Sequence, residues 1–302
     1  MKYLNLFSIN NKNEFINKLS YHIDNKNNLK KYQYKIAFIH DKKIISFSEN
    51  NFFISYRLLN SYKNELINPF FLGKSDNCIL IGYDLEKGLL NKIFNQKKYE
   101  LFNIRESIGI LDKKVAPYLT SLYSLVAWSR NNRFCSKCGK INYVTDFGHS
   151  VTCSNNICNN KKFPRIDPTV IMSVFYKDKI LLARNKNCKK GLYSCLAGFC
   201  EYSESMEETV KRETYEEVGI KIKNISYVFS QFWPFSNNLM IGFTAEAINY
   251  KLKINNKEIE DAIWLKKSEL IRLQNEKKVL LPKKYAIAYC LIKSWTEKTT
   301  FS

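Results

Sequence analysis

No run of about 18 apolar residues occurs in the sequence, which excludes a membrane-spanning helix. The first residues, MKYLNLFSINNKNE, contain neither a long apolar stretch nor a small-residue cleavage site. They do not read as a secretory signal, so the expected location is the cytoplasm. Internal repeats and low-complexity tracts are also missing, which leaves one large domain or two to three smaller ones for 302 residues. Acid is scarce: 28 Asp and Glu stand against 48 Lys and Arg, a formal net charge of +20. Yet no dense basic block exists. Lysine pairs (Lys30-Lys31, Lys97-Lys98, Lys161-Lys162, Lys189-Lys190, Lys277-Lys278) are scattered among Asn, Ile, Phe and Tyr. The excess reads first as compositional, and second as a field that favours phosphate-bearing partners, nucleic acid included.

What is present is organised in four stretches. Hydrophobic residues make up 45% of the chain, enough for an ordinary core. Residues 1–112 read as a separate mixed α/β module: KIAFIH and KIISFS flank Asp41-Lys42 as a hairpin, and CILIGYD reads as a strand. In residues 113–133, Leu119, Leu122, Tyr123 and Val126 recur at helical spacing and predict a connecting helix. Residues 134–163 carry paired cysteines. Residues 164–302 open with the strands TVIMSVFY and KILLAR around Lys177-Asp178. An acidic helix follows, then strands ISYVFSQF and MIGFTAEAI, and a last helix around YAIAYCLIKSW. The overall class is α+β, with an α/β/α sandwich in this last stretch.

Nine cysteines in a chain expected to be cytosolic point to metal rather than disulfides. FCSKCGK places Cys135 and Cys138 two residues apart, and TCSNNIC places Cys153 and Cys158 four apart. Two hairpin-borne pairs supply the four thiolates of a tetrahedral structural zinc site. Gly139 suits a tight turn after the first pair, and His149 is a candidate substitute ligand. A closed site leaves no open position for catalysis. Cys78, Cys188, Cys195, Cys200 and Cys290 lack such spacing and read mostly as small buried apolar residues.

The strongest signal is GFCEYSESMEETVKRETYEEVGI, Gly198 to Ile220. Ser205 and Glu208 form a capping-box pattern that starts a helix, and Gly219 ends it. Glu213, Glu216 and Glu217 then share one helix face. Three carboxylates so close need neutralising cations, and magnesium or manganese suits all-oxygen ligands. Arg212, one turn before Glu216, is placed to orient them. A solvated charged face is the bland alternative. The stretch resembles the Nudix hydrolase signature: Gly198, Glu204, Arg212, Glu213, Glu216, Glu217, Gly219 and Ile220 all fall in register. Thr214 departs from it, standing where the family has a bulky aliphatic residue. The resemblance implies metal-assisted hydrolysis of a nucleoside diphosphate linked to another group. It implies Glu213 and Glu217 as metal ligands, Glu216 as a further ligand or the base, and the Ala197 carbonyl beside them.

SQFWPFSNNLM, downstream of the signature, reads from its residues alone either as a core strand or as an aromatic platform for a flat ligand. Ser230 to Ser236 resemble the Ser-Gln-Pro-Trp-Pro-Phe-Pro hallmark of one Nudix branch, the NADH pyrophosphatases that also remove NAD caps from RNA. Phe232 and Ser236 replace two of its prolines. The order of N-terminal module, four-cysteine ribbon and Nudix domain is similar too, as is WSRNNRFCSKCG. The branch implies hydrolysis of NAD(H) to nicotinamide mononucleotide and AMP, with NAD-capped RNA as a larger substrate. It implies Phe163, Phe199, Gln231, Phe232, Trp233, Pro234, Phe235, Ser236, Asn237, Asn238 and Ala288 around the dinucleotide, and Arg105 reaching it from the first module. It also implies Glu258 as a fourth metal-binding carboxylate, and a homodimer. The competing expectations are a Nudix enzyme for ADP-ribose or another nucleoside diphosphate, and a non-catalytic zinc-ribbon protein that binds RNA.

Overall fold

The computed structural model describes residues 33–48, 51–75, 78–95 and 98–297. The stretch read for a leader lies outside them, as do Lys30, Lys31 and Lys97. The chain divides into two compact units between Arg165 and Ile166.

The first unit starts with strands β1 (Gln33–His40), β2 (Lys43–Ser46), β3 (Ile54–Ser55), β4 (Phe70–Ser75), β5 (Cys78–Asp84) and β6 (Glu100–Asn103). They form one sheet in the order β4-β5-β1-β2-β6, with β3 beside β1. The β1–β5 pair is parallel; the others are antiparallel. Asp41 and Lys42 take φ of 46° and 61° in the turn between β1 and β2, the left-handed geometry that a two-residue hairpin needs. Among the described residues, the α-helices here are α1 (Lys87–Phe94), α2 (Ile104–Ser107) and α3 (Ala116–Asn131), the last at the place the periodicity predicts. Ile36, Phe38, Ile45, Ile81 and Phe94 are among the residues of the core. The cysteine stretch adds a three-stranded antiparallel ribbon of β7 (Asn142–Thr145), β8 (Ser150–Cys153) and β9 (Lys161–Lys162).

The second unit contains β10 (Asp167–Tyr176), β11 (Lys179–Asn185), β12 (Leu196–Phe199), α4 (Met206–Val218), β13 (Ile222–Trp233), β14 (Asn238–Ala247), β15 (Ile259–Lys266), α5 (Lys267–Asn275) and α6 (Ile287–Glu297). Its sheet runs β13-β14-β10-β11-β15, with β12 beside β10; β10 and β14 are parallel. Strand alternation gives the sheet two apolar faces. Val170, Met172, Leu181 and Phe243 bury with Val210 and Val218 of α4. Ile171, Ile180, Leu182 and Leu265 bury with Leu270 of α5 and Ile287, Leu291 and Ile292 of α6. The result is the expected α/β/α sandwich. Strands β12 and β15 and helix α5 were not read from the sequence, and β13 runs on through Trp233. No helix among the described residues is long and apolar enough to cross a membrane.

Candidate active site

Helix α4 is held at both ends by local chemistry. The Ser205 side chain accepts from the Glu208 N–H at 3.2 Å, and Glu208 Oε2 accepts from the Ser205 N–H at 2.7 Å. Gly219 closes the helix at φ 70°, where its N–H donates to the Tyr215 carbonyl at 2.8 Å. Thr214 fits the aliphatic position by burying its methyl and donating its hydroxyl to the Val210 carbonyl at 2.7 Å.

Arg212 ties this helix to the loop before it. Its Nε and Nη2 donate to the two oxygens of Glu204 at 2.6 and 2.9 Å, a bidentate pair. Nη1 reaches Glu213 at 2.9 Å and Glu216 at 3.1 Å, and Nη2 also reaches the Phe199 carbonyl at 2.9 Å. Glu204 accepts in addition from the Glu201 N–H and the Thr209 hydroxyl, at 3.0 and 2.9 Å. These donors, Arg212 foremost, hold its carboxyl down to about 2. Glu204 is thus a brace for Arg212.

The remaining carboxylates are arranged differently. Glu213 lies against β12: a Cβ built on Gly198 would sit 1.9 Å from the Glu213 carboxyl carbon, so the glycine leaves the room this carboxylate occupies. Burial pushes the Glu213 carboxyl up, against the pull of Arg212. Glu217 is 6% exposed, and its Oε2 has no hydrogen-bond partner. Burial first, then the charges of Glu213, Glu258 and Glu216, push it up to about 8. Glu258 is exposed in the turn before β15, where its carbonyl accepts from the Lys186 N–H at 3.0 Å. The same loop is stitched to α4 by the Asn255 N–H, which donates to the Glu217 carbonyl at 2.8 Å. Ala197 is the residue of β12 just before Gly198 and pairs with Ile171. A buried carboxylate without a donor, facing three more carboxylates, is unfavourable as an anion. A hard divalent cation would remove that penalty, and carboxylate oxygens are the donors such an ion takes.

The aromatic segment is neither a core strand throughout nor an open platform. Gln231, Phe232 and Trp233 end β13, and Pro234 to Asn237 make the turn into β14, with Asn237 at φ 57°. Gln231 is 3% exposed and works as a bracket: its Nε2 donates to the Tyr285 carbonyl and its Oε1 accepts from the Ile287 N–H, both at 2.8 Å. Trp233 is half-buried, edge-on to Phe235 at 5.2 Å between centroids and stacked with Tyr285 at 6.2 Å. Pro234 and Asn238 are buried, Phe232 half-buried and Ser236 exposed. Phe199 is 55% exposed at the end of β12. Ala288, in the first turn of α6, is buried with Ile287 and Leu291 against the sheet, so its methyl presents almost no open surface. Arg105 on α2 and Phe163, which is 61% exposed with the Lys161 ammonium 5.5 Å from its ring, belong to the first unit. Tyr285 was missed in the sequence; its aromatic character just before the last helix was the only available sign.

The four ribbon cysteines converge. Their Sγ atoms all lie within 4.8 Å of one another. Cys135 and Cys158 are 3.8 Å apart, and Cys138 and Cys153 are 3.4 Å apart. A tetrahedron with zinc–sulfur bonds of about 2.3 Å has sulfur–sulfur edges of about 3.8 Å, so the cluster has the size of a structural zinc site. Backbone N–H groups of Lys137 and Cys138 pull the Cys135 thiol down, while burial pushes the Cys153 and Cys158 thiols up. Gly139 takes φ 72° in the turn after the first pair. The alternative ligand His149 is engaged elsewhere, with Nε2 3.0 Å from the Phe71 carbonyl. Of the unpaired-spacing cysteines, only Cys195 is fully buried; Cys188 is exposed, and Cys78, Cys200 and Cys290 are half-buried.

Residues 166–286 match the model of the NUDIX domain. Curated relatives narrow the class. The chain is 42% identical over 137 residues to the NAD-capped RNA hydrolase NudC of Pseudomonas aeruginosa, covering 45% of this chain and 49% of that protein. It is 36% identical over 196 residues to the NAD-capped RNA hydrolase NUDT12 of Pongo abelii (61% of this chain, 42% of that protein). With the mitochondrial NAD(P)H pyrophosphatase NUDT13 of Mus musculus it shares 37% over 216 residues (66% of this chain, 60% of that protein). These relatives bear out the resemblance to the NADH pyrophosphatase branch. The chain spans about half the length of the curated relatives it matches.

Proposed function

We propose that this chain is a metal-dependent hydrolase that cleaves the diphosphate of NAD(H) into nicotinamide mononucleotide and AMP, and that it cleaves the same bond in NAD-capped RNA. The observation that carries the reading is the buried, unpartnered carboxylate of Glu217 beside Glu213, Glu216 and Glu258. Glu213, Glu217 and Glu258, with the Ala197 carbonyl, would hold magnesium or manganese, and Glu216 serves as a further ligand or as the base. Bound there, the cation neutralises charge on the diphosphate and activates water. Water adds to one phosphorus, the bridging P–O bond breaks, and each product keeps one phosphate. Arg212 touches the carboxylates and a backbone carbonyl, so it positions Glu213 and Glu216. Trp233, Phe235 and Phe199 supply ring faces for the bases. Zinc on the four cysteines is structural. A homodimer in the cytoplasm completes the reading and rests on the resemblance.

Comparing kcat/KM for NADH, NAD, ADP-ribose and NAD-capped RNA, each with magnesium or manganese, tests it. ADP-ribose lacks the nicotinamide ring, and one aromatic contact is worth about 1–3 kcal/mol. NADH is therefore expected to be preferred by about 5- to 150-fold, and Trp233→Ala to erase most of that preference. Equal values in the wild type would hand the site to a general nucleoside-diphosphate hydrolase, and no turnover of any substrate to an RNA-binding role.

Gly198→Ala provides a second check. The added methyl meets the Glu213 carboxyl at 1.9 Å, so the carboxylate must move. A displacement of about 1 Å in a reacting site costs on the order of 100-fold, so kcat is expected to fall by about 10- to 100-fold. The circular-dichroism spectrum should stay native. Unchanged kcat would remove Glu213 from the machinery.

A further inference from the structure

On the sheet face away from α4, a groove of about 1050 Å³ is lined by the sheet, α5 and α6. Its apolar walls include Phe175 of β10, Val228 of β13, Ile271 of α5, and Leu291 and Trp295 of α6. Ser173 of β10 and Thr244 of β14, a cross-strand pair, contribute the polar part of its floor. Ser173 is 1% exposed, and its hydroxyl has no hydrogen-bond partner. Native proteins leave few buried hydroxyls in that condition, because an unmade bond in an apolar setting is costly. Ser173 therefore leaves an unmade hydrogen bond in the groove floor.

The rim has the opposite character. Lys177, Lys266 and Lys267 gather there, with Asp178 as the one acid in the lining. Lys266 pairs with Asp178 at 3.2 Å, while Lys177 and Lys267 make no ion pair among the described residues. The first turn of α5 is also at the rim, where Glu269 caps the helix by accepting from the Lys266 N–H at 2.7 Å.

This groove is distinct from the carboxylate face. Ser173 lies three residues along β10 from Val170, the partner of Gly198, roughly 10 Å of strand. It also faces the other way: Met172 and Val174 pack with α4, whereas Ile171 packs with α6. The carboxylates that suit a metal-bound diphosphate are absent from its lining.

We propose that the groove is a second small-molecule site, which binds an amphiphilic anion. The carboxylate or phosphate head meets Lys177 and Lys267, and the apolar body lies along Phe175, Ile271, Leu291 and Trp295. The volume is at the upper end of small-molecule sites, and an apolar lining with a few convergent polar groups is their usual chemistry. The proposal is independent of NAD(H) hydrolysis.

Isothermal titration calorimetry of the full chain with dodecanoate and, separately, with 1-naphthyl phosphate tests it; the first carries an aliphatic body, the second an aromatic one. At least one probe is expected to bind at one site per chain with micromolar affinity. Lys267→Glu should weaken that binding by about 10-fold or more, because it replaces an attraction with a repulsion. Lys267 is exposed, so the reversal leaves the fold intact. Trp295→Ala should weaken binding as well, and Glu217→Gln should leave it unchanged. Dodecanol and inorganic phosphate, each with half of the chemistry, should bind more weakly than the intact probes. The proposal is overturned if neither probe binds saturably, or if Lys267→Glu leaves binding intact. It is also overturned if sedimentation shows a dimer that Trp295→Ala dissociates, which would give the groove to a second copy of the chain.

Discussion

Replacing Glu217 with glutamine is expected to reduce kcat for NADH by about 100-fold or more while the protein stays folded. The side chain keeps its shape and its buried position on α4, so the packing of Val218 and Ile220 next to it is undisturbed. What disappears is one negative charge from a group of four. In the wild type that charge is unfavourable by itself: burial and three neighbouring carboxylates push Glu217 up to about 8, and Oε2 has no donor. A cation bound there reverses the balance, which makes the charge useful only in the loaded site. Two measurements separate the roles. Without divalent ions, Glu217→Gln should melt no lower than the wild type, because repulsion has been relieved. With saturating magnesium, the wild type should gain thermal stability and the variant should gain less. Near-normal kcat at saturating magnesium would remove Glu217 from the reaction. Glu204→Gln should be milder in kcat, since Glu204 acts through Arg212, which it holds at 2.6 and 2.9 Å.

What could be read from the sequence was local. Helix α4 announces itself through Ser205, Glu208 and Gly219, all within one short stretch, and the 3.6-residue period puts Glu213, Glu216 and Glu217 on one face without any tertiary information. The β1–β2 turn and the two cysteine pairs are equally local. What escaped depends on residues far apart in sequence. Gln231 was expected to line the dinucleotide; its side chain is spent on Tyr285 and Ile287, more than fifty positions away. Ala288 was expected in the same lining, and the packing of α6 on the sheet buries it. The parallel pairings β1–β5 and β10–β14 need crossovers that no local pattern encodes. Tyr285, stacked on Trp233, is invisible for the same reason: an isolated tyrosine has no periodic context. Cys188 was read with the small buried residues, and its loop leaves it exposed because residue type alone does not set burial there.

Cys138→Ser is expected to remove zinc from the purified protein and to lower the melting temperature of the first unit by about 10 °C or more. Cys138 is the exposed member of the cluster, so the substitution costs almost no buried apolar surface. The oxygen that replaces Sγ is a poor substitute for a thiolate, and the remaining three sulfurs no longer close a tetrahedron. Structural zinc contributes about 10–16 kcal/mol of binding free energy in small finger peptides, and in such sites binding energy is folding energy. The first unit keeps a core of its own around Phe38, Ile81 and Phe94, so it should weaken at the ribbon before it fails as a whole. Metal analysis of protein prepared without chelators should find about one zinc per wild-type chain and much less in the variant. Cys195→Ser is the comparison: Cys195 is buried in the second unit and is not one of the four, so any loss of stability there comes with full zinc content. The chemistry should respond less than the stability, because a four-thiolate site has no position for substrate. Wild-type protein without zinc, or a Cys138→Ser protein with unchanged zinc and melting temperature, would show that the four sulfurs converge for another reason.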